Sequence, residues 1–177
     1  MSDKNPVFQM LAAAMQANGV VSRQDAREAI LIHDEDLPWV ALPDGSLLQL
    51  LQVDLNQNLW VVRNRLKPGF GIDTHYHTDP VFAFTQSGEW FYKEYPDKVN
   101  KAGSYLYEPA HSIHTLTVAA DAKEDAVVWF AVFGSNVNIN DKGDVTSVLD
   151  AATLLKVYRM LCAADGKTCD NVIVFGE

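Results

Sequence analysis

Short segments with strand-like composition, separated by turn residues, are the feature of this sequence that most constrains its fold. Between about 46 and 140, stretches rich in β-branched and aromatic residues alternate with turns that contain Gly, Pro, Ser or Asp. The predicted strands are 59–66, 81–86, 89–95, 104–108 and 127–133. Many short strands at this spacing predict an all-β sandwich or barrel. The last of them is apolar on both faces, which predicts a central strand covered on both sides.

Helical patterns flank the β-rich region. Asn5 and Pro6 predict the start of a helical arm over about 5–30, because Asn is a good N-cap and Pro suits the first helical turn. Asp150 is a predicted N-cap for a C-terminal helix over about 147–164. An apolar stripe on that helix predicts that it packs on the outside of the barrel; the stripe comprises Leu154, Leu155, Tyr158 and Leu161.

These elements predict one domain over 1–177, with a barrel over about 46–140. The segment 172–175 could add an edge strand. Edge strands invite pairing with another chain, so we expect a homodimer or homotetramer in which the arm or this segment crosses between subunits.

Charge and composition exclude several classes of partner. The formal net charge is -9 and the sequence pI is about 4.9, so the surface repels nucleic acid and anionic membranes. No apolar run approaches the roughly 20 residues that span a bilayer, and the start of the chain lacks the pattern of a secretory signal. We therefore expect a cytoplasmic protein. Cys162 and Cys169 are expected to be free thiols, as the cytosol is reducing.

Four of the five histidines fall within forty residues of the β-rich region. His75 and His77 alternate along a strand, so their side chains point to the same face. Two neighbouring imidazoles suit cis coordination of a transition metal. His114, at the end of the turn that begins with Pro109, is the natural third ligand. The pattern predicts a three-histidine metal site, whereas a surface or packed His pair is the alternative for His75 and His77 alone.

The same residues resemble the two motifs of the cupin family. Gly69 is followed by five residues and then by His75, Tyr76 and His77, and Gly88 stands at the closing position of the first motif. In the second motif, Gly103 is followed by five residues and Pro109, and His114 stands at the last metal-ligand position. The resemblance covers about 69–118 and implies a cupin barrel, also called a double-stranded β-helix.

The departures from the motifs bear on the chemistry. Val81 occupies the position of the family's glutamate ligand, and His111 and Val118 replace a glycine and an asparagine. Three neutral imidazoles leave a divalent ion with its full charge, which favours a bidentate anionic oxygen ligand.

The three-histidine pattern resembles that of cupin dioxygenases that cleave carbon–carbon bonds. With the stretch His75 to Pro80 and the run Tyr107 to His114, this chain most resembles the 2,4'-dihydroxyacetophenone dioxygenase family. That resemblance implies one mononuclear, non-haem Fe(2+) per chain, an aryl hydroxyketone and O2 as substrates, and 4-hydroxybenzoate and formate as products.

Four further residues are candidates for the site. The resemblance places Glu108 near the metal as a catalytic group that hydrogen-bonds or deprotonates bound substrate; a surface carboxylate is the alternative. His111 could be a fourth ligand, a packed turn residue or, as we favour, a neighbour that orients the metal-bound groups. Trp90 and Tyr92 share a strand face and could line a pocket for an aromatic ring, although core packing is nearly as well supported.

Three other functions remain open. A β-diketone dioxygenase would use the same metal site. A non-catalytic cupin module would store or sense a metal. A structural sandwich without metal is the third alternative, and the clustering of four histidines argues against it.

Overall fold

The computed structural model of the chain describes Met10 and residues 28–177. The predicted helical arm at 5–30 therefore lies almost entirely outside the described residues. The contacts divide the chain after Leu31, and Ile32–Glu177 forms one compact unit.

This unit consists of short strands and one helix, after a 3-10 turn at Asp34–Asp36. The strands are β1 (Val40–Ala41), β2 (Leu47–Asp54), β3 (Leu59–Leu66), β4 (His75–His77), β5 (Val81–Ser87), β6 (Glu89–Tyr92), β7 (Asn100–Lys101), β8 (Tyr105–Glu108), β9 (Leu116–Thr117), β10 (Ala126–Phe133), β11 (Asn136–Ile139), β12 (Val145–Leu149) and β13 (Ile173–Phe175). The helix is α1 (Ala151–Ala164). The predicted all-β fold with a C-terminal helix is confirmed.

The strands form three sheets. The largest has the order β1-β2-β3-β10-β5-β8, with β13 beside β2. The other two have the orders β12-β11-β4 and β7-β6-β9. Strand β10 lies between β3 and β5, so the predicted central strand is confirmed, although Trp129, Phe130, Ala131 and Phe133 are only half-buried. The barrel strands begin at Val40 and continue to Leu149, beyond both predicted limits of 46 and 140.

The barrel has two groups of buried apolar side chains. One surrounds Trp90, Leu66 and Val128. The other joins β2 and β3 to helix α1, whose Leu154, Leu155 and Tyr158 are buried as the apolar stripe predicts. Helix α1 thus packs against β1 and β2 of the large sheet.

The start of the C-terminal helix differs from the prediction of 147. Residues Val145–Leu149 form strand β12 instead, because their β-branched side chains pair with β11. The helix begins after Asp150, whose carboxylate accepts a hydrogen bond of 2.8 Å from the Thr153 amide. The predicted N-cap is confirmed.

We expect the Asp150→Ala variant to lose about 1 kcal/mol of unfolding free energy, because the first turn of α1 loses its cap. Asp150→Asn is the matched control and should stay within a few tenths of a kcal/mol, since Asn caps equally well. Urea unfolding at pH 7 measures both. The hydrogen bonds from Thr153 lower the pKa of Asp150, so its contribution is present at neutral pH and is lost as the pH falls through that pKa. Equal stability of the Ala variant and the wild type would refute the assignment.

The end of the chain also matches its prediction. Ile173–Phe175 adds a parallel strand to β2 within the same chain. Pairing between subunits, and with it the homodimer or homotetramer, stays a prediction. In the part of the chain that the structure describes, no helix is long and apolar enough to cross a membrane.

Candidate metal centre

Strand β4 supplies two imidazoles to the inside of the barrel. His75 and His77 are buried, while the intervening Tyr76 is half-buried and points the other way. The strand is held by β11, with His77 opposite Asn136 and His75 opposite Asn138. The alternation that the sequence predicted is therefore observed.

Main-chain hydrogen bonds bring the third imidazole to the first two. The amide of His75 donates to the carbonyl of His114 at 3.1 Å, and the amide of His114 donates back to the carbonyl of His75 at 3.0 Å. The amide of His111 donates to the carbonyl of His77 at 2.8 Å. His111 has φ +65° at the position of a motif glycine, and histidine is one of the residues that enter this region most readily.

The three rings converge on one point. One candidate ligand atom from each of His75, His77 and His114 lies within 4.8 Å of the other two, and all three residues are buried. Nδ1 of His75 lies 2.7 Å from the carbonyl oxygen of Asp73. An Nδ1–H donor suits that contact and leaves Nε2 free to bind a metal, the usual arrangement for a ligating histidine.

Burial also keeps the histidines in the form that binds metals. Burial lowers the pKa of His75 and lowers that of His77 to about 4, outweighing the opposing effect of the Glu108 carboxylate. Both imidazoles are therefore neutral at pH 7, and a neutral imidazole has the lone pair that a metal needs.

Glu108 places a buried carboxylate beside two of the rings. Its Oε2 lies 3.2 Å from Nε2 of His114 and 3.4 Å from Nε2 of His77, and its Oε1 accepts a hydrogen bond from the Tyr92 hydroxyl. In the β5–β8 ladder, Glu108 lies directly opposite Val81. Strand β8 thus supplies a carboxylate directly across from Val81, the β5 position at which the cupin motif has a glutamate.

The two acidic groups are ionised differently. Burial raises the pKa of Glu108, but contacts with His114, His77 and Tyr92 outweigh burial and hold it below its usual range. Burial and the Glu108 carboxylate raise the pKa of Tyr92 well above its usual value. At neutral pH the pair is therefore a carboxylate held by a phenol donor.

The unpaired atoms of this cluster fit a metal ion. His114 Nε2 and Glu108 Oε2 are buried and have no hydrogen-bond partner among the described residues. His77 Nδ1 is also unpaired, but it is the other ring nitrogen, Nε2, that faces Glu108. Unsatisfied polar atoms are costly, and a cation near the imidazoles would interact favourably with both the nitrogen lone pairs and the carboxylate. A set of three imidazoles suits a divalent transition metal better than Mg²⁺ or Ca²⁺. The residues present can therefore hold such an ion.

A cavity of about 180 Å³ opens onto the cluster. His75, His77, Glu108 and Tyr92 line its metal end. Most of the remaining wall is apolar and includes Trp60, Ile72, Leu116, Phe130 and Val132. Polar groups interrupt that wall at Asp44, Ser46, Asn64, Asn136 and Asn138. The cavity can therefore enclose a small, mainly apolar molecule with a few oxygen atoms.

Two of the three residues predicted to contact substrate, Trp90 and His111, do not line the cavity. Trp90 is fully buried in the core, and its indole N–H donates to the Thr85 hydroxyl at 2.9 Å. The ring of Trp90 lies 5.3 Å from that of Tyr92, and Trp90 is not among the residues that line the cavity. His111 is exposed, with its ring 5.9 Å from that of Tyr76, so it orients His77 through its main chain instead of its side chain. Tyr92 alone of the three lines the cavity.

Asn136 and Asn138 are site residues that the sequence analysis missed. The alternation of Asn136, Val137 and Asn138, with a buried Val between the amides, is the signal that could have found them. Their position opposite His77 and His75 depends on a strand pairing across about sixty residues, which no local pattern reveals.

Comparison with known families decides the class of barrel. The profile of the ChrR cupin-like domain matches residues 27–135, more than half of the chain. The chain belongs to this cupin family. The cupin barrel predicted from the two motifs is confirmed, and the three-histidine cluster, which could hold a metal ion, lies within the matched residues.

Solved structures resemble this cupin along most of its length. A protein of unknown function with a cupin-like fold from Ralstonia eutropha is 27% identical, with a TM-score of 0.79 over 89% of this chain and 97% of that one. An RmlC-like cupin from the same organism is 26% identical, with a TM-score of 0.77 over 84% and 96%.

An acetylacetone dioxygenase from Acinetobacter johnsonii is 19% identical, with a TM-score of 0.67 over 82% and 99%, and at this identity the likeness shows the fold alone. No curated protein sequence matches this cupin.

Proposed function

We propose that this cupin is an iron-dependent dioxygenase that cleaves the carbon–carbon bond of an aryl hydroxyketone. The reaction that the family resemblance favours converts 2,4'-dihydroxyacetophenone and O2 to 4-hydroxybenzoate and formate. The observation that carries the proposal is the buried Glu108 carboxylate, which lies within 3.4 Å of two metal-site imidazoles at the end of an apolar cavity. A site built only to hold a metal has no need of a proton acceptor facing a cavity.

His75, His77 and His114 would hold the Fe(2+) ion. When bound, the ion would supply Lewis acidity toward the two substrate oxygens and a redox centre for O2. The three neutral ligands contribute no negative charge of their own, which favours a substrate that binds as a chelating anion.

Glu108 is the residue in position to accept the proton that creates such an anion. The carboxylate is ionised at neutral pH, since its contacts with His114 and His77 lower its pKa. The hydrogen bond from Tyr92 fixes Oε1, and Oε2 has no hydrogen-bond partner among the described residues. A fixed carboxylate with one free oxygen suits a general base.

The apolar wall would hold the aryl ring. Trp60 and Phe130 line the cavity with Tyr92, and Phe130 also packs against the buried Trp90 at a ring distance of 5.9 Å. A rigid aromatic wall excludes water from the reacting carbons and favours a flat, apolar ring over a hydrated chain.

The fold supports two further candidates. A β-diketone dioxygenase would use the same three imidazoles and the same base on a substrate without a hydroxyl group. A non-catalytic module would bind the metal and consume no oxygen. For the whole protein we propose a single domain, a cytoplasmic location and assembly as a homodimer or homotetramer.

We expect the iron-loaded protein to consume O2 with 2,4'-dihydroxyacetophenone and to place one atom of ¹⁸O2 in each of the two acids. Oxygen uptake, followed by mass spectrometry of 4-hydroxybenzoate and formate, measures the result. The balance requires one O2 for each bond broken, with no external reductant.

Acetylacetone is the comparison substrate for the diketone alternative. Faster oxygen uptake with acetylacetone would favour that alternative. Label in only one acid, beyond exchange with water, would contradict a dioxygenase. Stoichiometric iron without oxygen uptake on either substrate would favour the non-catalytic module.

A further inference from the structure

We infer that Asn136 is a specificity residue whose side-chain amide accepts a hydrogen bond from the hydroxyl group of a hydroxyketone bound at the metal centre. The inference deepens the proposed function by naming the chain's own basis for choosing a hydroxyketone over a diketone. It takes the class of ligand, a hydroxyketone, from that proposed function, but its test measures ligand binding instead of turnover.

The strand register places Asn136 beside the metal ligands. Asn136 is the direct partner of His77, and Asn138 is the partner of His75, in the antiparallel β11–β4 pair. Side chains of directly opposed residues leave the sheet on the same face, with Cβ atoms about 5 Å apart. All four residues line the same cavity. The two amides therefore form a polar part of the cavity wall next to the imidazoles.

A short chain of hydrogen bonds fixes the orientation of this wall. Nδ2 of Asn136 donates to Oδ1 of Asn138 at 2.9 Å, and Nδ2 of Asn138 donates to Oγ of Ser147 at 2.8 Å. The structure records no hydrogen bond to Oδ1 of Asn136 from the residues that it describes. Asn136 is half-buried, and its Oδ1 is an acceptor at the end of this chain of hydrogen bonds.

This acceptor distinguishes the two classes of ligand. A hydroxyketone that has lost its carbon-bound proton to Glu108 is an anion that still carries a hydroxyl hydrogen, and Oδ1 can accept a hydrogen bond from that hydroxyl group. The enolate of a β-diketone has no hydrogen on either oxygen, so it faces the amide without a donor. A polar group at the edge of a desolvated site discriminates because the wrong ligand leaves it unpaired. Asn136 thus favours the ligand with a hydroxyl group.

Equilibrium binding under anaerobic conditions tests the inference. Isothermal titration of the iron-loaded protein would compare 2-hydroxyacetophenone with its methyl ether, 2-methoxyacetophenone, which lacks the donor, and with acetylacetone. We expect Asn136→Leu to raise the Kd of the hydroxyketone about tenfold, the effect of losing one hydrogen bond in such a site. The Kd values of the ether and of acetylacetone should change by less than about twofold.

Asn64→Leu is the matched control, because Asn64 lines the same cavity from β3, where its direct partner is Leu48 and not one of the histidines. It should preserve the preference for the hydroxyketone over the ether. Asn136→Ala is the second variant should leucine disturb folding, and circular dichroism and iron content verify each protein.

Equal loss for hydroxyketone and ether, or an unchanged Kd for the hydroxyketone, would overturn the inference. If the wild type shows the Asn136-dependent preference but consumes no O2, the inference stands and the dioxygenase proposal fails. If the wild type consumes O2 and Asn136→Leu shows no change in preference, the inference alone fails. If the wild type binds none of the three ligands, both fail.

Discussion

Replacement of any one of His75, His77 or His114 by alanine should strip the protein of most of its iron. All three side chains are buried around one point, and two remaining imidazoles cannot replace the lost nitrogen because the residues around them are held by strand pairing. We expect the affinity for iron to fall by at least about 100-fold, since changes to mere neighbours of metal ligands already cost 10–100-fold. Metal analysis of the purified, untagged variants measures the loss.

His111→Asn is the matched control for these variants. It changes a histidine of the same turn, and Asn also tolerates the positive φ that this position requires. The variant should keep its iron, because the ring of His111 is exposed and only its main-chain amide supports the site. Full iron occupancy in His114→Ala, or iron loss in His111→Asn, would contradict the three-histidine site.

Glu108→Gln should retain its iron and lose at least about 10²-fold in turnover, the low end of what a positioned base contributes. The amide has nearly the same shape and can still accept the hydrogen bond from Tyr92, but it cannot take up a proton. Steady-state oxygen uptake and iron content, measured on the same preparation, separate the two effects.

Glu89→Gln makes the same chemical change on the exposed surface of β6 and should leave both quantities unchanged. Near-normal turnover in Glu108→Gln would show that the carboxylate is not the base. Loss of iron together with activity would show instead that Glu108 acts mainly by supporting the metal.

Local patterns predicted the parts of the site that depend on alternation along one strand. His75 and His77 could be assigned to one face because β4 is regular, and Asp150 could be assigned as a cap from its position before an apolar stripe. Glu108 came from the family resemblance, and the structure places its carboxylate beside the rings.

The same patterns failed where depth or long-range pairing decides the outcome. Trp90 shares a face with Tyr92, as predicted, but it lies farther along β6, where Thr85 and Phe130 enclose it in the core. Alternation gives the face of a side chain and not its distance from the metal. Asn136 reaches the site only through the pairing of β11 with β4, and Val145–Leu149 became a strand because β11 offered a partner.

The main-chain bonds that join His75, His77, His111 and His114 have a consequence for the side chains around them. The backbone sets the spacing of the three imidazoles through hydrogen bonds in which the side chains of Val81 and Glu108 take no part. A carboxylate at either of these facing positions leaves the main-chain hydrogen bonds between the histidines in place. The main-chain pairing that spaces the imidazoles and the side chains that surround them are therefore separate features of the barrel, and a change in one does not require a change in the other.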